Sequence, residues 1–180
     1  RSVRAAVAQV RAPADTARAI DAVADFCGRA VAAGAQLVVF PEALLGGYPR
    51  GANFGTVVGS RTAAGREEFL AYHRAAVTVP GPEVDALAEI AQRHGLHIVV
   101  GLVERAGTTL YCGSVTIDRF GAVIGRRRKA MPTGAERLIW GQGDGSGLKV
   151  VETAVGRVGA LACWEHYNPL ARYALMAQHE

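Results

Sequence analysis

The chain has 180 residues; half are apolar and a fifth are charged. That composition excludes a disordered or fibrous chain, and the length suits one domain better than two. Twenty Lys or Arg against 16 Asp or Glu leave a formal charge of +4, too mild an excess to imply a nucleic-acid partner. No apolar run approaches the ~18 residues of a membrane span, so no membrane partner is expected. The opening, residues 1–13, is basic and alternating and lacks the long apolar centre of a signal peptide, which suits a mature cytoplasmic start. Cys27, Cys112 and Cys163 lack CxxC spacing, so neither a structural zinc nor a disulfide framework is expected.

Residues 3–10 read as a first strand. Asp15 or Thr16 then caps a helix to about residue 33, on which Ile20, Val23, Ala24, Cys27, Ala30 and Val31 recur at three and four residues. Gly34 stops it. The apolar run 37–40 is a compact strand ahead of Pro41-Glu42. Strand, helix and strand within forty residues predict an α/β chain with a helix-covered sheet. Residues 46–62 form a Gly-rich loop and 63–76 a helix. After the punctuation Val79-Pro80-Gly81-Pro82, a helix runs from Pro82 to His94 and stops at Gly95. Strands follow at 97–104, 109–117 and 122–127, with turns at Ala106-Gly107 and Asp118 to Gly121. Residues 130–148 are irregular. Two short strands, 148–153 and 157–162, meet near Gly156. Pro169 opens a helix with no Gly, Asn or Pro stop before Glu180, so the chain reads as breaking off inside a helix.

Three polar residues stand just past the end of an apolar strand: Glu42, Lys129 and Cys163. In layered α/β folds that rim is where sites are assembled. A carboxylate can take a thiol's proton, the thiolate can attack an electrophilic carbon, and an ammonium can stabilise the negative charge that develops. Spacing alone leaves other roles open. Cys163 also fits a small buried apolar residue, Lys129 one member of the basic turn 126–129, and Glu42 a helix cap or structural ion pair. His73, His94, His97 and His179 are scattered and suggest no metal site, and no Gly-rich phosphate loop points to a nucleotide cofactor.

The motifs around these residues resemble the nitrilase family, in its branch that hydrolyses nitriles. Phe40-Pro41-Glu42-Ala43, continued by Gly47-Tyr48-Pro49-Arg50-Gly51, is similar to its glutamate motif. Arg128-Lys129-Ala130-Met131-Pro132-Thr133, followed by Glu136-Arg137 and by residues 138–145, is similar to its lysine motif. Cys163-Trp164-Glu165-His166 with Pro169-Leu170 is similar to its cysteine motif. The resemblance implies an α-β-β-α sandwich, of which residues 1–180 form the N-terminal portion of a single domain ending after the cysteine motif. It implies Glu42, Lys129 and Cys163 as catalytic residues, with Glu136 in a supporting acidic role near Lys129; a surface partner for Arg137 is the other reading of Glu136. The backbone N–H of Trp164 is an oxyanion donor on this reading. Tyr48 either lines the pocket beside Glu42 or packs in the core. His166 is a supporting or packing residue, although a Cys-His pair with Cys163 is a second way to make a thiolate.

The implied substrate is a small nitrile or cyanide, with no cofactor and no metal. The implied assembly is a homo-oligomer of dimers extending into spirals. An amidase or carbamoyl hydrolase would use the same residues on a carbonyl carbon. A basic binding module built on residues 126–129 would need strongly salt-dependent binding and lacks interleaved aromatics.

Overall fold

The computed structural model describes residues 2–13, 15–60 and 62–180; Arg1 of the basic opening and Arg61 of the 46–62 loop lie outside them. Seven strands and four helices follow one another along the described chain. They are β1 (Ala5–Val7), α1 (Thr16–Ala32), β2 (Leu37–Val39), α2 (Ala63–Ala75), α3 (Pro82–His94), β3 (His97–Ala106), β4 (Thr109–Ile117), β5 (Val123–Arg128), β6 (Val151–Thr153), β7 (Gly156–Val158) and α4 (Pro169–Met176). Local chemistry sets the helix ends. The Asp15 side chain accepts from the Ala17 N–H at 2.8 Å and caps α1. Pro82 opens α3, and Gly95, at φ 64°, closes it in the left-handed region.

The first five strands form one sheet in the order β1-β2-β3-β4-β5. β1, β2 and β3 run parallel, and β4 is antiparallel to both β3 and β5. β5 therefore runs in the same direction as β2, so the two strands end at the same rim of the sheet. The sheet has two different faces. Ile98, Val100, Leu102, Val115 and Ile117 point to one and pack with Ala19, Val23, Cys27, Val84, Leu87 and Ile90 of α1 and α3 in the main core. Gly101, Ser114, Thr116 and Arg127 belong to the other. The β6–β7 hairpin and residues 159–162 cover part of that second face, where Arg127 Nη1 donates to the Ala160 carbonyl at 2.8 Å. Helices, sheet and hairpin are thus successive layers, as an α-β-β-α arrangement requires.

Several expected bounds move. The 3–10 strand contracts to Ala5–Val7, the part that pairs with β2. The 157–162 strand stops at Val158, because residues 159–162 have no strand partner. The last helix ends at Met176, not at the chain end: the Gln178 side chain turns back to donate to the Leu148 carbonyl and to accept from the Val150 N–H, both at 3.0 Å. No helix among the described residues is long and apolar enough to cross a membrane.

His97 opens β3 at 3 % exposure, and neither ring nitrogen has a hydrogen-bond partner. Burial holds its pKa below the ordinary value, opposed by Asp118 and assisted by Arg119. The unfolded chain takes up the His97 proton near pH 6.5 and the folded chain only at lower pH, so the stability tied to the neutral ring is complete above about pH 6.5 and is lost as pH falls toward the folded value. Urea midpoints at pH 7.5 and pH 5 are expected to separate in the wild type and to lie closer together in His97→Leu. Equal separations in the two proteins would remove His97 as the cause.

Candidate active site

Glu42 leaves β2 through Pro41, and the following residue, Ala43, has a positive φ of 51°. The bend lays the chain across β3. A Cβ on Gly101 would sit 2.3 Å from the Pro41 carbonyl oxygen and 2.6 Å from Glu42 Cα, so only glycine allows this approach. Lys129 follows directly on β5, and its backbone N–H donates to the Cys112 carbonyl at 2.7 Å. Because β2 and β5 end at the same rim, the two side chains converge.

The Lys129 side chain is 1 % exposed. Its Nζ donates to Glu42 Oε1 and to Glu136 Oε2, each at 2.8 Å. Glu136 lies in a 3-10 turn over Gly134–Leu138 and reaches back to accept the Thr133 N–H at 2.7 Å. Its other oxygen accepts from the Tyr48 hydroxyl at 2.7 Å. Burial alone would push the Glu136 carboxyl up, but the donors Lys129, Thr133 and Tyr48 outweigh it and hold the group below the usual carboxylate range. Burial likewise works against the Lys129 charge, and the hydrogen bonds to Glu136 and Glu42 more than offset it, so the ammonium is held above the ordinary lysine value. Burial, with the Glu136 hydrogen bond, pushes the Tyr48 hydroxyl up to about 12.

Cys163 is exposed and begins a 3-10 turn over Cys163–Tyr167. Its φ of 54° is unusual for a residue with a side chain and marks a strained turn. A carboxylate oxygen of Glu42, one of Glu136 and Cys163 Sγ lie within 4.8 Å of one another. The Lys129 ammonium already fills the place a divalent cation would take between the two carboxylates. A cleft of about 310 Å³, lined by Phe40, Glu42, Gly101, Ser114, Cys163 and His166, opens beside the thiol.

The structure therefore brings Glu42, Lys129, Glu136, Cys163 and Tyr48 together. His166 borders the cleft, its Nε2 lies 3.0 Å from the Leu161 carbonyl oxygen, and among the described residues no hydrogen bond joins it to Cys163. The Trp164 ring is 61 % exposed and lies 4.8 Å from the Tyr167 ring. Two neighbours escaped the reading of the sequence. Cys112 Sγ donates to Glu42 Oε1 at 3.3 Å, and burial, then the Glu42 charge, push its thiol up, so it serves as a protonated donor. Tyr72 accepts from Trp140 Nε1 and donates to the Gly47 carbonyl, both at 3.0 Å, and the Trp140 ring packs edge-on to Tyr48 at 5.5 Å. The signal for Cys112 was its place opposite Lys129, which a sequence shows only once the strand pairing is known.

The basic run 126–129 is divided by strand alternation. Arg126 and Arg128 both pair with the buried Glu104, Arg127 pairs with Glu165 at 2.7 Å, and Lys129 pairs with Glu42 and Glu136. Each member of the run thus has an acidic partner within the protein, Arg126 and Arg128 sharing one.

The sequence profile of the carbon-nitrogen hydrolase family matches residues 4–180. The chain belongs to that family. It is 50% identical over 164 residues to the bifunctional nitrilase/nitrile hydratase NIT4B of Lupinus angustifolius, covering 91% of this chain and 47% of that protein. It is 49% identical over 164 residues to nitrilase 3 of Arabidopsis thaliana, with 91% and 47% covered. It is 48% identical over 173 residues to the aliphatic nitrilase of Sinorhizobium fredii, with 96% and 56% covered. The chain spans about half the length of the curated relatives it matches. Among solved structures, a carbon-nitrogen hydrolase from Helicobacter pylori superposes with a TM-score of 0.71 at 20% identity, over 98% of this chain and 57% of that one. An amidase from Nesterenkonia sp. does so with a TM-score of 0.71 at 22% identity, over 98% and 61%. At those identities the structural likeness shows the fold alone. The family read from the motifs is the family these comparisons return.

Glu136 contributes stability that is complete above its unfolded pKa of about 4.3 and is lost as pH falls through its lower folded value. Lys129→Met leaves two carboxylates facing each other without a cation, at a cost of about 3–5 kcal/mol near pH 7. That loss is expected to shrink as pH falls and Glu136 takes up its proton. Chemical denaturation of both proteins across pH 3.5–7.5 measures it; a loss independent of pH would remove the carboxylates as its origin.

Proposed function

We propose that this chain carries the reacting groups of a nitrile hydrolase that releases a carboxylic acid and ammonia. The observation that carries the reading is the buried Lys129 ammonium, bonded to Glu42 and Glu136 within reach of an exposed thiol on a strained turn. Relatives named nitrilases at about half identity support the nitrile over the amide as substrate.

In this mechanism Glu42 takes the proton of Cys163 Sγ as sulfur bonds to the nitrile carbon, and passes it to the nitrogen to give a thioimidate. Two of the three Lys129 N–H donors hold the carboxylates. The third, with the Trp164 backbone N–H at the start of its turn, polarises the nitrile nitrogen during attack and holds the oxyanion that forms later. Glu42 then deprotonates water as it adds to the carbon. The proton moves to nitrogen, the C–N bond breaks, and ammonia leaves a thioester. A second water, activated in the same way, breaks the C–S bond and restores the thiol. Two waters are consumed for one acid and one ammonia. Glu136 and Tyr48 keep Lys129 charged and in place, and His166 borders the substrate cleft.

Cys163→Ala is expected to abolish ammonia release from a panel of aliphatic, aryl and arylacetonitrile substrates and cyanide. A slow nitrile should add its mass to Cys163 and not to the buried Cys27 or Cys112. Faster turnover of the matching amides than of the nitriles would favour the amidase or carbamoyl hydrolase reading.

The same proposal includes a cytoplasmic setting and a homo-oligomer whose dimers extend into spirals. Apolar side chains exposed along the last turn and α4, Trp164, Tyr167, Leu170, Tyr173 and Met176, support association. Light scattering is expected to give a mass that is a multiple of one chain; a strict monomer at micromolar concentration would remove the oligomer.

A further inference from the structure

Glu165 lies two residues after Cys163 and is 5 % exposed. Its carboxylate accepts four hydrogen bonds, two on each oxygen. Oε1 accepts from Arg127 Nη2 at 2.7 Å and from the Ala130 N–H at 2.8 Å. Oε2 accepts from Arg127 Nη1 at 2.7 Å and from the Ala162 N–H at 2.9 Å. Four is about the number a carboxylate can take, so the group is saturated. The donors are not scattered. Arg127 and Ala130 flank Lys129 in the chain, and Ala162 and Glu165 itself flank Cys163. One buried carboxylate thus ties the Arg127 side chain and the Ala130 N–H, on either side of Lys129, to the segment 162–165 that carries the thiol.

We infer that Glu165 is a positioning residue that sets the distance of Cys163 Sγ from Glu42 and Lys129 without touching substrate. The inference rests on the reading of Cys163 as the nucleophile. The strained φ of Cys163 needs surroundings that over-determine it, and the Glu165 bond to the Ala162 N–H fixes the residue before it. The paired guanidinium matters as much as the carboxylate, because the bidentate geometry fixes orientation as well as distance. A Gln at 165 brings an NH₂ group against donors, so at least one of the four bonds is lost and the Arg127 charge is left without a counter-ion.

The test compares the wild type with Glu165→Gln and with the double variant Glu165→Gln/Arg127→Gln, which removes both charges and so leaves none buried alone. Thermal unfolding gives the folded fraction, nitrile turnover gives kcat and KM, and iodoacetamide with peptide mass spectrometry gives the alkylation rate of Cys163. The expected result in both variants, at temperatures where they are folded, is a fall in kcat of about 100-fold with KM changed less than about threefold. Alkylation of Cys163 is expected to fall toward the rate of free cysteine, as the thiol loses its base. The double variant is expected to recover much of the melting temperature lost in the single one while recovering none of the kcat. Either variant keeping wild-type kcat and alkylation rate would overturn the role. Losses that track only the unfolded fraction in both variants would overturn it too, as belonging to the fold in general. A wild type that turned over no nitrile, but whose Cys163 lost alkylation rate in Glu165→Gln, would retain the positioning role and remove only the proposed reaction.

Discussion

The ammonium of Lys129, withdrawn from water between two carboxylates, is the constraint on which the rest of the site depends. A buried charge costs several kcal/mol unless its partners are close and fully bonded. Here they are: Nζ meets Glu42 and Glu136 at 2.8 Å, and Glu136 is completed by Thr133 and Tyr48. Meeting that condition joins the end of β2, the end of β5, the 3-10 turn after it and the loop carrying Tyr48. Those segments are distant in the chain, and the ion cluster gives each of them one permitted position. The same cluster is the proposed chemistry, so the requirement for folding and the requirement for reaction fall on the same atoms.

Much of the architecture was legible in the residues because it follows from local rules. Apolar spacing marked α1 and α3, Asp15, Pro82 and Gly95 marked their ends, and alternation marked β4 with its bounds intact. The strand-end argument also picked out Glu42 and Lys129 as residues at one rim. What escaped depends on pairing between distant segments. Residues 159–162 look like a strand but have no ladder to join, and Arg127 takes the Ala160 carbonyl instead. The helix at the chain end has no local stop signal, and a side chain reaching back from Gln178 ends it. Cys112 reads as one more apolar strand residue until β4 is aligned with β5. Glu165 reads as part of a motif until its four donors are known.

The two faces of the sheet divide the labour between stability and chemistry. One face is apolar and sealed by α1 and α3. The other carries a second apolar cluster of Val103, Leu110, Cys112 and Trp140 at one end and, under the hairpin, small and polar residues, Gly101, Ser114, Thr116 and Gly125, whose lack of bulk lets loops and the β6–β7 hairpin approach. A Cβ on Gly125 would already lie 3.4 Å from a Val151 methyl. A reactive cleft needs such a surface, since large side chains there would exclude both the turn bearing Cys163 and any substrate.

The alternating partners of residues 126–128 have a consequence for alignment. In the observed pairing, Arg126 and Arg128 face Glu104 while Arg127 faces the opposite layer and Glu165. Sliding β5 by one position against β4 would turn every side chain to the other face. Glu104 would then meet one guanidinium in place of two, and Glu165 two in place of one. Hydrophobic pattern alone would resist such a slip weakly, because Val123 and Ile124 are adjacent and similar. Three arginines in succession, which look interchangeable on paper, act together as a vernier that admits one alignment. Deleting a single residue within 123–128 should therefore do more damage than replacing any one of them.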